Sequence, residues 1–211
     1  MISAREEILG RVRAALATGG QPPQPPRVPR AYRRTDEYRP GAPALLDLLA
    51  DRLVDYRATV YRARTDDDLL PTLCRMFAEL LPSGGRVVVP PGLPASWAPP
   101  GAVVDGGLTT AQLDEVDAVL TACAAAAAET GTVVLDGSPD SGRRALTLVP
   151  DRHVCVVRAE QVVQNVPELL VRLDPHRPLT FVSGPSATSD IELQRVEGVH
   201  GPRTLVVVLV G

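Results

Sequence analysis

The sequence predicts an α/β domain with a largely parallel sheet, and two observations support this prediction. Strand-like and helical segments alternate from residue 45 to the C-terminus, which is the pattern that places helices over a parallel sheet. The closing run Leu205–Val210 contains no polar residue. A strand of that composition is covered on both faces, so the end of the chain is expected to lie inside the domain.

Length and composition are those of a globular protein with one main core. The 211 residues allow one well-buried core and an extension. Aromatic residues are only 3% of the chain, so Val, Leu and Ala must build the core. A net charge of -3 gives no general attraction for nucleic acid or anionic membranes. No apolar run approaches the ~20 residues of a membrane span, and the N-terminus lacks a signal-peptide pattern, so we expect a cytoplasmic protein.

Residues 1–43 are predicted as a helix and an arm that precede the domain at 44–211. Ser3 and Glu6 fit a capping box, and an apolar stripe follows them. Residues 21–43 contain seven prolines and five arginines, which predicts an extended arm. The helix then needs a surface on its own domain or on another subunit, as in a homo-oligomer. A loose tail is the alternative.

The first half of the domain is predicted to alternate helices with strands. Thr65 and the acidic residues 66–68 are typical of an N-cap with an acidic first turn, which explains the acidic triplet without a metal ion. The predicted segments are a helix at 45–54, a strand at 58–63, a helix at 66–81, strands at 86–90 and 102–105, a short helix capped by Thr109 or Thr110, and a strand at 117–121.

The second half holds three less regular segments. Ala122–Ala128 is a run of small residues, predicted as a helix or turn packed closely on the sheet. Gly137–Gly142 has the spacing of a phosphate loop, but Arg143 and Arg144 replace the Lys and Ser or Thr of a Walker A motif, so a solvent-exposed hairpin is predicted. Strands are predicted at 132–135 and 153–158, and a helix at 159–173.

The stretch 178–211 organises the domain. It is predicted as a strand at 178–182, a polar loop at 183–189, a short helix, a second loop and the closing strand. Ser189 and Glu192 fit a capping box for that helix, and Gly198 fits its end. The loop would then lie at a helix N-terminus, where free amides and the helix dipole favour anions.

Two motifs carry a resemblance to a known family. One is the terminal stretch that combines Ser183-Gly184-Pro185-Ser186 with Thr188, Asp190 and the segment from Gly198 through His200 and Gly201 to Pro202. The other is Glu129-Thr130-Gly131-Thr132. With both motifs in the correct order, the chain from about residue 45 onward resembles the LUD domain family.

This resemblance implies a fold and a role. The implied fold is α/β and three-layered, with the largely parallel sheet of sugar-phosphate isomerases and CoA-transferases. The implied role is that of a protein acting beside iron–sulfur lactate utilisation proteins A and B in a system that oxidises L-lactate to pyruvate.

Several chemistries are excluded by residue type. All 22 basic residues are Arg, so neither a lysine Schiff base nor a Walker A loop can form. Cys74, Cys123 and Cys155 are widely spaced in apolar contexts, whereas an iron–sulfur cluster needs four clustered ligands. We therefore expect buried free thiols, no cofactor in this chain, and iron–sulfur clusters on partner proteins. The three histidines show no metal-ligand spacing, so no metal is predicted.

Candidate site residues lie in three loops that are expected to meet at the carboxyl ends of strands. Glu129 is a candidate acid–base residue if burial raises its pKa, and a hydrogen-bonded structural carboxylate is the alternative. His200 is a candidate proton carrier or anion contact, or a structural imidazole. The predicted ligand-binding residues are Thr130, Gly131, Ser183, Gly184, Pro185, Ser186, Thr188, Asp190 and Gly201.

Three functions remain open from the sequence. The first is a subunit or accessory protein of an iron–sulfur system that oxidises L-lactate, with a pocket for a small carboxylate or phosphate. The second is an acyl- or CoA-transferase, because CoA-transferases of related fold use a glutamate nucleophile and Glu129 is the matching candidate. The third is a non-catalytic module that senses a carboxylate.

Overall fold

The computed structural model describes residues 3–18, 27–29, 31, 37–188, 196–198 and 200–211. The chain forms two compact units, Met1–Tyr32 and Arg33–Gly211. The first contains helix α1 (Ala4–Thr18), and its N-terminus has the predicted capping box. The Glu6 amide donates to Ser3 Oγ at 3.2 Å, and the Ser3 amide donates to the Glu6 carboxylate at 2.9 Å. The division between arm and domain at residue 43 stays a prediction.

The second unit contains the α/β domain. Its first elements follow the predicted order: α2 (Pro43–Asp55), β1 (Thr59–Ala63), α3 (Asp66–Leu80), β2 (Val87–Val89), β3 (Val103–Val104), α4 (Thr110–Asp114) and β4 (Ala118–Ala122). The later elements are β5 (Ala125–Ala127), β6 (Thr132–Leu135), β7 (Arg152–Arg158), β8 (Val162–Val163), α5 (Val166–Val171), β9 (Thr180–Val182), β10 (Ala187–Thr188), β11 (Val196–Glu197) and β12 (Thr204–Val210).

Helix starts in the first half follow the predicted capping chemistry. Thr65 Oγ1 accepts from the Asp68 amide at 3.3 Å, so the acidic triplet is the first turn of α3. Thr109 caps α4 with a complete capping box to Gln112. Both caps satisfy amides that a helix leaves without a partner at its start.

The larger sheet has six parallel strands in the order β1-β12-β7-β4-β2-β3. The prediction of an α/β fold with a largely parallel sheet is confirmed. Strand β12 lies between β1 and β7 from Val206 to Val210, with Val207 opposite Val60 on one side and Cys155 on the other. The last segment of the chain therefore forms an interior strand.

Side chains of β12 alternate between two cores, which makes the domain three-layered. Val206, Val208 and Val210 face a core that includes buried residues of α3. Leu205, Val207 and Leu209 face a second core formed with leucines of α2 and with residues of β5, β6 and β8. Each β12 residue from Leu205 to Val210 is buried, as expected for a strand covered on both faces.

A second, four-stranded sheet in the order β8-β5-β6-β9 was not expected from the sequence. The alanine run, predicted as a helix or turn, instead ends β4 and forms β5, which pairs antiparallel with β6. The strand predicted at 178–182 is present as β9, but it pairs antiparallel with β6 in this second sheet. Alanine side chains are small enough for the two sheets to approach closely, and this tertiary packing overrides the helix preference of alanine.

The helix predicted at 159–173 was wrong over its first half. Residues Ala159–Gln161 form one 3-10 turn, β8 follows, and only Val166–Val171 are α-helical. The run Val162–Val163 extends the second sheet beside β5, where β-branched residues fit well. Asn165 then starts α5 by accepting from the Glu168 amide at 3.0 Å.

A short helix was predicted to end at Gly198, and this prediction was wrong for the two residues before that glycine. Val196–Glu197 form β11, which pairs antiparallel with β10 at Ala187–Thr188. The proposed capping box of Ser189 and Glu192 lies outside the described residues. The first part of the predicted loop 183–189 leads into strand β10 at Ala187–Thr188, and the helix N-terminus predicted at Ser189 lies outside the described residues.

The segment 137–142 is a packed loop rather than the predicted solvent hairpin. Ser141 is fully buried, and Ser138 Oγ donates to Asp140 at 2.6 Å. The Gly92 amide donates to the Pro139 carbonyl at 2.8 Å.

The prediction that all three cysteines are buried was wrong for Cys74. Cys74 is exposed, while Cys123 and Cys155 are buried as predicted.

No helix within the described ranges has the length and apolar character needed to cross a bilayer.

We predict that Val207→Asp prevents folding. The carboxylate would be buried without a partner in the second core, at a cost of roughly 3–5 kcal/mol or more, which is comparable with the whole stability of many domains. Circular dichroism and thermal melting measure the effect. Val104→Asp is the matched control, because Val104 is 58% exposed on the edge strand β3. A Val207→Asp protein that melts like the wild type would contradict the central position of β12.

Candidate functional site

A cavity of about 220 Å³ opens at the amino ends of β7 and β12. Its walls come from the turn Arg144–Thr147, from His153 at the start of β7, from the segment 180–186, and from the segment 200–205. The segment 180–186 includes the carboxyl end of β9, as expected. In the six-stranded sheet, however, the cavity lies at the opposite end of the strands from the one that ligands usually occupy in open α/β sheets.

Two loops of the terminal motif are joined by backbone hydrogen bonds. The Ser186 amide donates to the Pro202 carbonyl at 2.9 Å, and the Gly198 amide donates to the Ser186 carbonyl at 3.0 Å. The His200 amide donates to Ser186 Oγ at 3.1 Å. These bonds hold the 183–186 loop against the 200–202 loop, so Ser183 and His200 line the same cavity.

Gly184 is required by the geometry of the first loop. Its φ is +87°, and a Cβ there would lie 2.7 Å from both Cβ and the carbonyl oxygen of Tyr56. Only glycine adopts this conformation and tolerates this contact without strain. The glycine of the Ser183-Gly184-Pro185-Ser186 motif thus has a backbone cause, independent of any ligand.

Arg144 provides the positive charge of the cavity. Its neighbour Arg143 binds the buried carboxylate of Asp105 through two hydrogen bonds, at 2.7 and 3.0 Å, and this ion pair anchors the turn. Among the described residues, Arg144 itself has no ion pair and no side-chain hydrogen bond. An arginine held at a cavity without a carboxylate is suited to binding a carboxylate or phosphate.

His153 is a buried neutral base in the wall of the cavity. It is 3% exposed, and its Nε2 lies 2.8 Å from Thr121 Oγ1. Burial, with a smaller contribution from the positive charge of Arg144, lowers the pKa of His153 from 6.5 to about 4. The imidazole is therefore uncharged at neutral pH, so Arg144 rather than His153 supplies positive charge to this wall.

A chain of three hydroxyl groups reaches the cavity from the Glu129 turn. Thr130 Oγ1 lies 2.8 Å from Thr132 Oγ1, which lies 2.8 Å from Ser183 Oγ. Thr132 is buried, Thr130 is exposed, and Ser183 lines the cavity. The two sequence motifs are thus connected by hydrogen bonds in the folded protein.

Glu129 does not line the cavity. Its amide donates to the Gln164 carbonyl at 3.0 Å, and its Oε1 accepts from the Gln164 side-chain amide at 3.2 Å. Gly131 follows with φ +58°, packed against the backbone of Arg52 in α2. Glu129, Ser183 and His200 were expected to line one cavity, but only Ser183 and His200 do. Catalytic roles for Glu129 and His200 stay predictions.

The structure brings together only part of the predicted site. The cavity is lined by Ser183, Gly184, Pro185, Ser186, His200 and Gly201. Thr130 and Gly131 lie beyond it on the β5–β6 turn, Thr188 lies on β10, and Asp190 is outside the described residues. Reasoning from sequence missed Arg144, Thr147, His153 and Phe181 as cavity residues. The adjacent Arg143 and Arg144 after a Gly-rich segment were the one available signal.

A wider recess of about 620 Å³ adjoins the cavity and shares Arg144, His200 and Gly201 with it. Its outer wall includes the ion pair of Arg203 with Asp151, 2.6 Å apart. Arg144 thus borders both spaces. A ligand whose anionic group reaches Arg144 can extend into the recess.

The fold and this cavity define a three-layer α/β protein with an arginine and hydroxyl groups at the amino edge of its main sheet. A family model of the LUD domain matches residues 96–210. The chain belongs to the LUD domain family.

Relatives of known sequence and structure agree with this assignment. Lactate utilization protein C of Deinococcus radiodurans is 43% identical over 99% of this chain and 96% of its own length. The protein of the same name from Exiguobacterium is 28% identical over 99% of this chain and 96% of its own length. A crystal structure of a DUF162 family protein from Deinococcus radiodurans matches with a TM-score of 0.66 and 40% identity, covering 80% of this chain and 97% of that one.

We predict that His153 makes stability depend on pH between about 4 and 6.5. Because its folded-state pKa lies below its ordinary value of 6.5, the unfolded chain binds more protons in this window. The contribution is fully present above pH 6.5 and is lost as pH falls toward 4, by roughly 3 kcal/mol in total. Urea unfolding at a series of pH values measures this slope.

His153→Gln should flatten that slope. His176→Gln is the matched control, because it removes an exposed histidine and keeps His153, so the slope that His153 causes should persist. Equal slopes for the wild type and His153→Gln would contradict the buried neutral imidazole.

Proposed function

We propose that this protein acts in lactate utilisation as a subunit or accessory protein that binds a small carboxylate or phosphate. Two supports come from different sources. The relative from Deinococcus radiodurans, which aligns along nearly the full chain, is named lactate utilization protein C. The cavity at the amino edge of the sheet has the charge and hydrogen-bonding groups that a small organic acid requires.

The observation that carries this proposal is Arg144 at the cavity without an acidic partner among the described residues. Two nearby arginines are paired with carboxylates. Arg143, the neighbour of Arg144 in the chain, pairs with Asp105, and Arg203 in the adjoining recess pairs with Asp151. A guanidinium binds a carboxylate through two parallel N–H···O bonds. A bound anion would occupy the position that a carboxylate side chain has in the other two pairs.

The other walls complement a short organic acid. Ser183 and Ser186 provide hydroxyl groups, and Phe181 and Leu205 provide apolar surface. The volume of about 220 Å³ is below the 300–1,000 Å³ of typical drug-sized pockets. A three-carbon acid such as lactate or pyruvate fits these limits, with its carboxylate at Arg144 and its methyl group against Phe181.

In this function the chain itself holds and orients the anion. Arg144 binds the negative charge, the serine hydroxyls donate to its oxygens, and the buried neutral His153 keeps a polar but uncharged wall behind it. Glu129 lies outside the cavity lining, so the geometry favours binding over transfer through a Glu129 acyl intermediate.

Redox chemistry is assigned in this proposal to partner proteins. The chain has three cysteines, of which Cys123 and Cys155 are buried in the core beside α2 while Cys74 is exposed on α3. Four clustered ligands are the usual requirement for an iron–sulfur centre. Iron–sulfur lactate utilisation proteins A and B are the proposed partners, with this chain providing an anion site beside them.

We predict that Arg144→Gln weakens binding of L-lactate, pyruvate or inorganic phosphate by roughly ten- to a hundredfold, because a charge-assisted hydrogen bond is lost. Calorimetric titration of the purified protein measures the dissociation constants. Arg64→Gln is the matched control, since Arg64 is an exposed arginine in a surface ion pair with Asp68 and should bind like the wild type. Unchanged binding by Arg144→Gln would remove the anion site from this cavity.

Growth on L-lactate tests the biological part of the proposal. A strain that lacks the gene for this chain should grow poorly on L-lactate and normally on glucose. The wild-type gene should restore growth on L-lactate, and the Arg144→Gln gene should restore it less well. Normal growth of the deletion strain on L-lactate would contradict a role in lactate utilisation.

A further inference from the structure

We infer that the hydroxyl chain Thr130–Thr132–Ser183 sets the direction of the hydrogen bond that Ser183 offers to the cavity, which makes Thr132 a positioning residue for an anion. The inference rests on the proposed function, because it concerns the same cavity. It adds a residue outside the cavity lining that controls how the cavity recognises its ligand.

The geometry of the hydroxyl chain is fixed by strand pairing. Strands β6 and β9 are antiparallel neighbours, with Val133 opposite Val182, so Thr132 and Ser183 are adjacent across the ladder. Their hydroxyl oxygens are 2.8 Å apart, a normal distance for an O–H···O bond. Thr132 is only 6% exposed, so the protein rather than water determines the partners of its hydroxyl group.

Each hydroxyl group has one proton, which limits the chain to two directions. In one direction Ser183 donates to Thr132, and Thr132 donates to Thr130, either to Oγ1 at 2.8 Å or to the carbonyl oxygen at 3.4 Å. Ser183 then presents only lone pairs to the cavity. In the other direction Thr130 donates to Thr132 and Thr132 donates to Ser183, which frees the Ser183 proton to point into the cavity.

An anion selects the second direction. A carboxylate or phosphate oxygen accepts hydrogen bonds and has no proton to give, so it can bind only a Ser183 that donates. Thr132 stabilises that state because it satisfies a lone pair of Ser183 on the side away from the ligand. The exposed Thr130 at the other end can accept a compensating bond from water, so the reversal leaves no buried hydroxyl without a partner.

The hydroxyl chain also connects the two family motifs. Glu129-Thr130-Gly131-Thr132 supplies two of the three hydroxyl groups, and Ser183 is the first residue of the terminal motif. Thr130 and Thr132 therefore have a role in the site even though neither lines the cavity.

The test is calorimetric titration of the full-length protein with sodium L-lactate and with inorganic phosphate. Thr132→Val replaces the hydroxyl group by a methyl group of similar size and should weaken binding about three- to tenfold, the effect of one neutral hydrogen bond. Thr132→Ser should restore binding to within about twofold of the wild type, because it restores the hydroxyl group. Rescue by serine separates a hydrogen-bonding role from simple packing.

Thr72→Val is the matched control. Thr72 is also 6% exposed, but it lies in α3, away from the three hydroxyl groups, so this variant should bind like the wild type. Thr130→Val alters an exposed residue, so it keeps the test valid even if Thr132→Val does not fold. It should weaken binding by about twofold through loss of the outer donor.

The outcomes distinguish this inference from the function it rests on. A wild-type protein that binds neither anion overturns both. A wild type that binds, together with Thr132→Val and Thr130→Val proteins that bind equally well, overturns the hydroxyl chain alone. Weaker binding by Thr132→Val that Thr132→Ser does not restore also overturns it, because packing would then be the cause.

Discussion

Burial of β12 between β1 and β7 is the constraint on which the rest of the structure depends. The strand is the last of the chain, yet its residues alternate between the two main cores. The chain must therefore reach the amino edge of the sheet just before Thr204, and the 200–203 loop lies there for that reason. The Thr204 amide donates to the Asp151 carbonyl at 3.2 Å, which fixes this entry point beside the start of β7.

The cavity follows from that entry point and from the second sheet. Strand β9 brings Ser183 to the same edge from the second sheet, and the Ser186–Pro202 hydrogen bond joins its loop to the loop before β12. Arg143 and Asp105 anchor the turn that carries Arg144. Arg144 is thus held in place by contacts of its neighbours and of the backbone. Its own guanidinium takes no part in these contacts and remains available for a ligand.

Local chemistry predicted the regular part of the fold, and long-range packing decided the rest. The Thr65 cap and the apolar β12 are visible in the sequence because each depends on neighbouring residues. The alanine run became β5 only because another sheet packs on it, and no local pattern reports that sheet. The terminal motif predicted Ser183 and His200 as cavity neighbours, whereas Arg144 was missed because it approaches from a turn about 40 residues away.

The central claim is that an anion binds at the amino edge of β7 and β12. A crystal structure of the protein grown with L-lactate or inorganic phosphate tests it most directly. We expect the anion within hydrogen-bond distance of the Arg144 guanidinium and of Ser183 Oγ, inside the cavity of about 220 Å³. An anion bound instead at the carboxyl edge of the sheet, near Arg158, with the Arg144 cavity unchanged, would contradict the claim.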